Sequence, residues 1–351
     1  MDDRGRFRTL TSTCYVTDAT TAAPTDAHPP RAEEQRGARF LAQVQSAVAH
    51  AVVGGELPLR LLATSLLAGG HALLEDVPGV GKTLLARAFA RALGLSFARV
   101  QGTPDLLPSD VTGSSVLDGR EFRFIPGPVF ANVLLVDEIN RATPRTQSAL
   151  LEAMQERQVS AEGQTRPLPD PFLVLATQNP IELEGTFALP EAQLDRFVLR
   201  IAMGYPDEDD ERRIARRHQA VAEPLDDVAA VIQPEQALEL RTASRTVHVS
   251  EDVERYGVAL VRATREHADV RLGASPRASV ALYRAAQSWA LLGGRGFVLP
   301  DDMREIAHAV LDHRLLLEVD RELRGATVTG VVQEVLDTVP VPMAGDSPPD
   351  G

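Results

Sequence analysis

A short glycine-containing segment between an apolar run and an amphipathic helical pattern constrains the fold more than any other part of the chain. Residues 75–83 read Glu-Asp-Val-Pro-Gly-Val-Gly-Lys-Thr, and the helical pattern continues from Leu84 to Leu93. Glycine adopts backbone angles that are closed to other residues, so successive amides can turn inward at a helix N-terminus. The segment therefore predicts a phosphate-binding loop between a strand and a helix.

Two side chains in this loop are candidates for contacts with a nucleoside triphosphate. Lys82 would meet the β and γ phosphates, and Thr83 would hold Mg²⁺. The usual motif is Gly-x-x-x-x-Gly-Lys-Ser/Thr, whereas Asp76 stands here at the first glycine position. Taken alone, the segment also fits an ordinary glycine-rich turn. ATP and Mg²⁺ are the ligands that it predicts.

A second motif ends another apolar run. Residues 133–136 are β-type and lead into Asp137 and Glu138, which is typical of a buried parallel strand. Ligands of open α/β sheets bind at the carboxyl ends of the strands, so both carboxylates are expected beside the phosphate loop. Asp137 is the candidate for holding Mg²⁺, and Glu138 for orienting or deprotonating the attacking water. In isolation, the pair also fits a strand end before a turn.

The alternation of strand and helix patterns predicts a doubly wound α/β layout. Two helices are expected before the first strand. The strand patterns lie at 71–75, 96–100, 132–136, 171–176 and 197–201, with helical patterns at 82–93 and 144–157. Two segments do not fit a plain βαβ repeat: 102–128, which is rich in Gly and Pro, and 158–169, which predicts an inserted β-hairpin.

Strand patterns almost vanish after residue 206, which predicts a smaller all-helical domain. Helical patterns lie there at 207–222, 250–267, 276–291 and 300–312. We expect a disordered tail at 1–35, an α/β core at 36–203, a helical domain at 204–338 and a flexible tail at 339–351.

Composition limits the partners and the compartment. The net charge is −13 and the isoelectric point is near 5.1, so the whole-chain field repels nucleic acid phosphates. Cys14 is the single cysteine, which excludes an intrachain disulfide and fits a reducing cytoplasm. The chain has no apolar run long enough to span a bilayer and no secretory signal, so membrane insertion is not expected.

Two further polar residues suit catalysis. Asn179 follows a strand pattern, and its amide could hold the water that Glu138 activates, although an Asn-Pro pair is also an ordinary turn. Arg196 ends a short helix facing away from its own phosphate loop, so a catalytic role requires it to reach a neighbouring subunit. The alternative for Arg196 is a surface ion pair with Glu191 or Asp195.

Arg277 stands at the positive end of a helix, where a cation is unfavourable by itself. Ser275 can cap this helix and Pro276 can begin it. A nearby anion would explain an arginine at this position, and the triphosphate is the obvious anion. If Arg277 contacts the triphosphate, the helical domain closes over the nucleotide. The alternative is a solvated arginine in the first turn. The histidines at 218, 248, 267, 308 and 313 show no metal-ligand spacing.

From about residue 36 to 335 the sequence resembles the MoxR family of AAA+ ATPases. The resemblance rests on Leu-Glu-Asp-Val-Pro-Gly-Val-Gly-Lys-Thr at 74–83, Asp-Glu-Ile-Asn-Arg-Ala at 137–142, Ala-Thr-Gln-Asn-Pro-Ile-Glu at 176–182, Leu-Pro-Glu-Ala-Gln-Leu-Asp-Arg-Phe at 189–197 and Gly-Ala-Ser-Pro-Arg-Ala at 273–278. Further matching blocks lie at 103–113, 122–130 and 147–156.

This resemblance implies a P-loop AAA+ core with a helical lid, and it implies a role for each candidate. Walker B would lie at 133–138, sensor 1 at Asn179, an arginine finger at Arg196 and sensor 2 at Arg277. The segment 102–128 would contain a helix-2 insert, and 158–169 a pre-sensor-1 hairpin. The implied nucleotide-binding residues are Asp76, Val77, Pro78, Gly79, Val80, Gly81, Lys82 and Thr83 of Walker A, with Leu84 after them.

Two departures from the family pattern bear on these expectations. Gly102 replaces the larger residue that usually precedes Thr-Pro-Asp, and this exchange could loosen the base of the insert. The first 35 residues have no counterpart in the family, which suggests a dispensable tail.

Four functions remain open at this point. The resemblance implies a Mg²⁺-dependent ATPase in a hexameric ring, a chaperone-like remodeller that acts with a von Willebrand factor A domain protein on a protein client. A metal-chelatase motor subunit shares most of the motifs. A nucleic-acid motor would use the 158–169 hairpin, where Arg157 and Arg166 are offset by Glu156 and Glu162 and stacking aromatics are absent. In a monomeric P-loop kinase, Arg196 would have no catalytic role.

Overall fold

A computed structural model describes residues 32–75, 79–118, 121–161, 163–178, 186–217 and 224–342. Most of the two predicted tails therefore lies outside the described residues. So do Asp76, Val77 and Pro78 of the phosphate loop, and Asn179.

The chain forms a mixture of strands and helices. In chain order the strands are β1 (His71–Glu75), β2 (Phe97–Gln101), β3 (Gly113–Asp118), β4 (Glu121–Pro126), β5 (Val133–Asp137), β6 (Gln158–Ala161), β7 (Gln164–Pro167), β8 (Leu173–Gln178), β9 (Phe197–Ile201), β10 (Val270–Leu272) and β11 (Leu316–Leu317). The helices are α1 (Ala32–Val48), α2 (Glu56–Ala68), α3 (Lys82–Ala92), α4 (Pro108–Thr112), α5 (Pro144–Glu156), α6 (Glu191–Leu194), α7 (Glu208–Arg217), α8 (Pro234–Ser244), α9 (Glu251–Glu266), α10 (Pro276–Leu292), α11 (Pro300–Leu311), α12 (Val319–Leu323) and α13 (Val328–Thr338).

A five-stranded parallel sheet forms the centre of the α/β part, with the strand order β2-β5-β8-β1-β9. Neighbouring residues of one strand enter different cores, because side chains alternate across a sheet. Leu135 packs with α1, α2 and α3, whereas Leu134 packs with α5. Helices therefore cover both faces, and the predicted doubly wound fold is confirmed. Because all five strands are parallel, their carboxyl ends form one edge of the sheet.

Two hairpins extend the α/β part where the sequence departs from a βαβ repeat. The segment 102–128 contains α4 and the antiparallel pair β3–β4. The second hairpin, β6–β7, lies within 158–169 as expected. The guanidinium of Arg166 lies over the ring of Phe124, 3.8 Å from its centroid, so a cation–π contact joins the two hairpins.

The region after β9 is helical, and it ends in α13. The expectation of four helical patterns was incomplete there, because α8, α12 and α13 were not predicted. The strands β10 and β11 also form a small antiparallel sheet, and they have three and two residues, which is too short for a visible period. Leu240, Leu282 and Ile306 of this region share one core with Leu62 of α2.

Within the described ranges, no helix combines the length and the apolar character needed to cross a bilayer.

Candidate active site

The phosphate loop is held open by two glycines in the left-handed region. Gly79 has φ +87° and Gly81 has φ +90°, and a Cβ on either glycine would have no neighbour within 4 Å among the described residues. The backbone angle, and not crowding, therefore requires glycine at both positions. Gly81 is the N-cap of α3, which begins at Lys82. Amides at this helix N-terminus suit an anion.

The side chains that follow the loop are half-buried at the start of α3. Val80, Lys82 and Thr83 are each partly accessible, and Leu84 packs against the main core. Leu84 therefore fixes the first turn of α3 against the protein, while Lys82 and Thr83 keep access to the surface.

Asp137 and Glu138 emerge at the same edge of the sheet as the phosphate loop. Asp137 ends β5 and is buried. Glu138 has φ 54°, a left-handed angle that side chains seldom adopt. Such angles concentrate at functional sites, since the surrounding structure must hold them. The two carboxylates thus leave one strand in different directions.

Thr177 on β8 holds both residues of this acidic pair. Its buried hydroxyl donates to Oδ1 of Asp137 at 3.3 Å and accepts the amide N–H of Glu138 at 2.8 Å. One hydroxyl thereby fixes the carboxylate of Asp137 and the unusual backbone of Glu138. Thr177 was not among the candidate residues, although it falls within the matching block 176–182.

Replacing Thr177 with valine should lower the free energy of unfolding by about 1–3 kcal/mol, because a buried carboxylate oxygen and an amide lose their partner. ATP turnover should fall as well, since Asp137 and Glu138 lose their common anchor. Chemical denaturation and a phosphate-release assay measure the two effects. Thr177→Ser keeps the hydroxyl and is the matched control. Equal turnover in the valine and serine variants would remove Thr177 from the site.

Three further polar side chains surround the acidic pair. Arg99 on β2 donates from Nε to Oδ2 of Asp137 at 2.5 Å. Gln101 donates from Nε2 to Oε2 of Glu138 at 2.9 Å, and Arg141 donates from Nη1 to the same oxygen at 3.0 Å. The contacts of Arg99 and Gln101 were not predicted, because only the order of the strands places β2 beside β5. The contact of Arg141 is local, three residues from Glu138, and was missed as well.

Gly102 fits closely against the acidic pair. Its amide donates to the carbonyl oxygen of Asp137 at 2.6 Å, and a Cβ at this position would lie 2.2 Å from the carbonyl oxygen of Glu138. Gly102 was expected to loosen the base of the insert, but the structure shows a close contact at this position instead. The absent side chain lets the insert approach the backbone of β5 directly.

The donor set at this edge fits a Mg²⁺-bound nucleoside triphosphate. Mg²⁺ prefers oxygen ligands, and the carboxylate of Asp137 and the hydroxyl of Thr83 are of this kind. The two left-handed glycines and the start of α3 offer amides for phosphate oxygens. Glu138 stands beside the candidate metal ligand Asp137, where a group that acts on water is needed.

Arg196 lies at the opposite edge of the sheet, just before β9. Its Nη1 donates to the carbonyl oxygen of Leu151 at 2.8 Å, and a cleft of about 290 Å³ beside it is lined by Glu152 and Glu156 among others. Among the described residues Arg196 forms no ion pair with Glu191 or Asp195, and the Asp195 carboxylate instead binds Arg314 at 2.8 Å. The guanidinium of Arg196 thus borders an open cleft.

Arg277 is tied to the same edge. Ser275 caps α10, accepting the amide N–H of Arg277 at 3.1 Å, and the Ser275 hydroxyl donates to Oδ2 of Asp195 at 2.8 Å. Nη1 of Arg277 lies 3.9 Å from that same Oδ2, and its side chain is 54% exposed. Such an exposed pair contributes under about 1 kcal/mol, so Arg277 can leave Asp195 at little cost.

The expectation that Arg277 meets a triphosphate stays a prediction, and the placement of Arg277 bears on which copy of the protein would supply that triphosphate. β1 and β9 have five residues each, so the two edges of the sheet lie roughly 15 Å apart at about 3.3 Å per residue. Asp195 precedes β9 and the phosphate loop follows β1. The structure therefore brings Arg277 and Arg196 together, and it separates both from the loop of the same chain.

The remaining expectations concern sensor 1 and metals. Asn179 lies outside the described residues, so its predicted role stays a prediction. No group of three or more His, Cys, Asp or Glu side chains that could hold a metal ion occurs among the residues that the structure describes.

The fold and this site define a P-loop ATPase of the AAA+ class. Residues 71–199 match the family described as ATPase family associated with various cellular activities (AAA), and residues 262–335 match the AAA lid domain. The crystal structure of a Cytophaga hutchinsonii protein assigned as an ATPase superposes with a TM-score of 0.83 at 38% identity, covering 89% of this chain and 97% of that one.

Sequence relatives identify the family. Chaperone MoxR1 of Mycobacterium tuberculosis is 42% identical over 343 residues, which cover 94% of this chain and 90% of the relative. The uncharacterized protein YeaC of Bacillus subtilis is 46% identical over 295 residues, covering 83% of this chain and 92% of the relative. The chain belongs to the MoxR family of AAA+ ATPases, and it is an ATP-hydrolysing enzyme.

Proposed function

We propose that this protein is a Mg²⁺-dependent ATPase that works as a hexameric ring and that it remodels other proteins in the cytoplasm. The observation that carries the proposal is the division of the candidate residues between two edges of one sheet. Lys82, Thr83, Asp137 and Glu138 stand at the carboxyl edge, whereas Arg196 and Arg277 stand at the amino edge.

At the carboxyl edge, Lys82 and the loop amides would bind the phosphates, while Thr83 and Asp137 would hold Mg²⁺. When bound, Mg²⁺ neutralises the charge that develops on the phosphate oxygens. Glu138 would orient and deprotonate water, and Thr177 keeps its backbone in place. Asn179 would assist in positioning that water.

At the amino edge, Arg196 and Arg277 would serve the nucleotide of a neighbouring copy. A head-to-tail contact between copies joins the carboxyl edge of one to the amino edge of the next, and repetition of this contact closes a ring. A guanidinium supplied across such a contact stabilises the charge of the transition state. We therefore place Arg277 with Arg196 on the donating side of the contact.

The β3–β4 hairpin supports the remodelling part of the proposal. Leu117, Phe122 and Ile125 are exposed there, with Phe122 at 76%, and exposed apolar groups so close together mark an interaction surface. The relative named Chaperone MoxR1 agrees with contact to a protein client. A von Willebrand factor A domain protein is the further partner that the family resemblance implies.

The nucleic-acid motor receives less support. Arg166, the basic residue expected on the β6–β7 hairpin, already lies over Phe124. Contacts with the phosphates of a nucleic acid strand would need further cations on this hairpin. The residues just before Arg166 are Gln164 and Thr165, which are uncharged.

The turnover number of the wild-type enzyme should rise with protein concentration and then level off, because each site is complete only when two copies meet. Phosphate release at saturating ATP and Mg²⁺, measured over a dilution series alongside light scattering, tests this. A turnover number that stays constant down to concentrations at which only single copies exist would contradict the shared site and favour the monomeric kinase-like alternative.

A further inference from the structure

Four arginines gather at the amino-terminal edge of the central sheet, near the ends of three helices. α2 ends at Ala68 before Gly69, α5 ends before Arg157, and α8 carries Arg241 in its last turn and ends before Arg245. We call Arg157, Arg241, Arg245 and Arg284, the last of which lies on α10, the arginine patch.

Three of these side chains meet around one backbone position. Nη2 of Arg157 donates to the carbonyl oxygen of Gly69 at 2.8 Å. A Cβ on Gly69 would lie 3.6 Å from Nη2 of Arg157, 3.7 Å from Cδ of Arg241 and 3.9 Å from Nη2 of Arg245. The carbonyl ends of helices attract cations, which explains why arginines lie here. This attraction alone does not explain why four of them lie together.

One carboxylate serves this cluster. Arg241 donates from Nη1 and Nη2 to the two oxygens of Asp170 at 2.7 and 2.6 Å, and Nη1 of Arg157 lies 3.5 Å from Oδ1. Burial lowers the pKa of Arg157, and the positive charges of Arg241, Arg245 and Arg284 lower it further, while Asp170 opposes them. Positive charge is therefore in excess around Arg157.

Arg245 and Arg284 are exposed, and across the described ranges neither guanidinium has a carboxylate within ion-pair distance. The composition of the chain does not produce such an excess, because its 36 Lys and Arg are outnumbered by 49 Asp and Glu. An external anion would offset the repulsion between these cations. Asp170 shows which anion the surface accepts, since its carboxylate takes the paired hydrogen bonds of Arg241.

We propose that the arginine patch binds an acidic segment of a partner protein. Side-chain carboxylates of that segment would pair with Arg245 and Arg284 in the bidentate manner that Asp170 shows with Arg241. A nucleic acid strand suits the patch less, because a long polyanion also meets the net charge of −13 beyond the patch. The patch lies at the edge opposite the phosphate loop of the same chain, so a partner at the patch need not compete with the nucleotide of that chain.

A dye-labelled hexaglutamate peptide, titrated at about 0.1 M salt and followed by fluorescence anisotropy, tests the proposal. Arg245→Glu combined with Arg284→Glu should weaken peptide binding at least tenfold. The matched control combines Arg262→Glu with Arg324→Glu, two other exposed arginines, and thus carries the same change of net charge. The control should bind within about twofold of wild type, because screening confines the effect to roughly 10 Å. If the double glutamate variant does not fold, Arg245→Ala combined with Arg284→Ala takes its place.

Four outcomes would overturn the proposal. Absence of peptide binding by the wild type, or equal loss in the reversal and the control, would show that the patch is not a site for carboxylates. Tighter binding of a thymidine decanucleotide with the same arginine dependence would assign the patch to nucleic acid. Loss of self-assembly in the reversal variant, seen by light scattering with peptide binding unchanged, would make the patch a contact between copies.

Discussion

Replacing Glu138 with glutamine should stop ATP turnover while nucleotide binding persists. Glutamine has nearly the same shape, and its amide oxygen can still accept from Gln101 and Arg141, which hold Oε2 at 2.9 and 3.0 Å. What it cannot do is take a proton from water. General-base catalysis contributes roughly 10²–10⁴-fold in rate, and we expect a loss of this size.

Phosphate release measures the turnover of this variant, and fluorescence of a labelled ATP analogue measures its binding. Glu235→Gln is the matched control, because Glu235 is exposed in the first turn of α8 and makes the same change of charge away from the site. The control should keep wild-type turnover. The role of Glu138 in the mechanism would be refuted if the glutamine variant hydrolyses ATP as fast as wild type.

Glu138→Gln also separates binding from catalysis at the acidic pair. Asp137→Asn should instead weaken the dependence of nucleotide binding on Mg²⁺, because the buried carboxylate beside Thr177 is the candidate metal ligand. The Glu138 variant would then lose turnover, whereas the Asp137 variant would lose the Mg²⁺ dependence of binding. A general loss of folding would not produce two different effects.

Local patterns were sufficient to predict most of the sheet and its phosphate loop. The inner strands β5 and β8 are buried on both faces, so each begins in the sequence as a continuous apolar run. The left-handed angles of Gly79 and Gly81 follow from residue type, and the N-cap at Thr143 with Pro144 in the first turn of α5 was also predictable.

Contacts between distant elements could not be predicted in this way. Thr177 reaches Asp137 because β8 is the neighbour of β5, and no local period encodes the order of strands. The expected contact of Arg277 with a triphosphate came from the positions of Ser275 and Pro276 and from the family resemblance. Its place beside Asp195 depends on how the helical region packs against the start of β9, which involves residues far apart in the sequence.

The second large effect concerns Arg196. Arg196→Ala alone should lower turnover by roughly 10³–10⁵-fold, the range for a guanidinium that stabilises the transition state of phosphoryl transfer. Lys82→Ala alone should be similarly inactive, because its own phosphate site is incomplete. Neither loss by itself shows which copy of the protein receives Arg196.

Mixing the two inactive variants answers this question. An interface between an Arg196→Ala copy, which keeps Lys82, and a Lys82→Ala copy, which keeps Arg196, contains one complete site. Random mixing in equal amounts makes about a quarter of the interfaces of this kind, so turnover should recover to at most about a quarter of wild type. A mixture of Arg196→Ala with the double variant Lys82→Ala/Arg196→Ala contains no copy with Arg196, so it should stay inactive.

The same design decides the side on which Arg277 acts. Because Arg277 shares Asp195 with the turn that carries Arg196, a mixture of Arg277→Ala and Lys82→Ala should recover turnover as the Arg196 mixture does. Recovery with Arg196→Ala but none with Arg277→Ala would show that Arg277 serves the nucleotide of its own chain, after a movement of the helical region. Absence of recovery in both mixtures, with mixed assembly confirmed by light scattering and tagged pull-down, would contradict a site shared between copies.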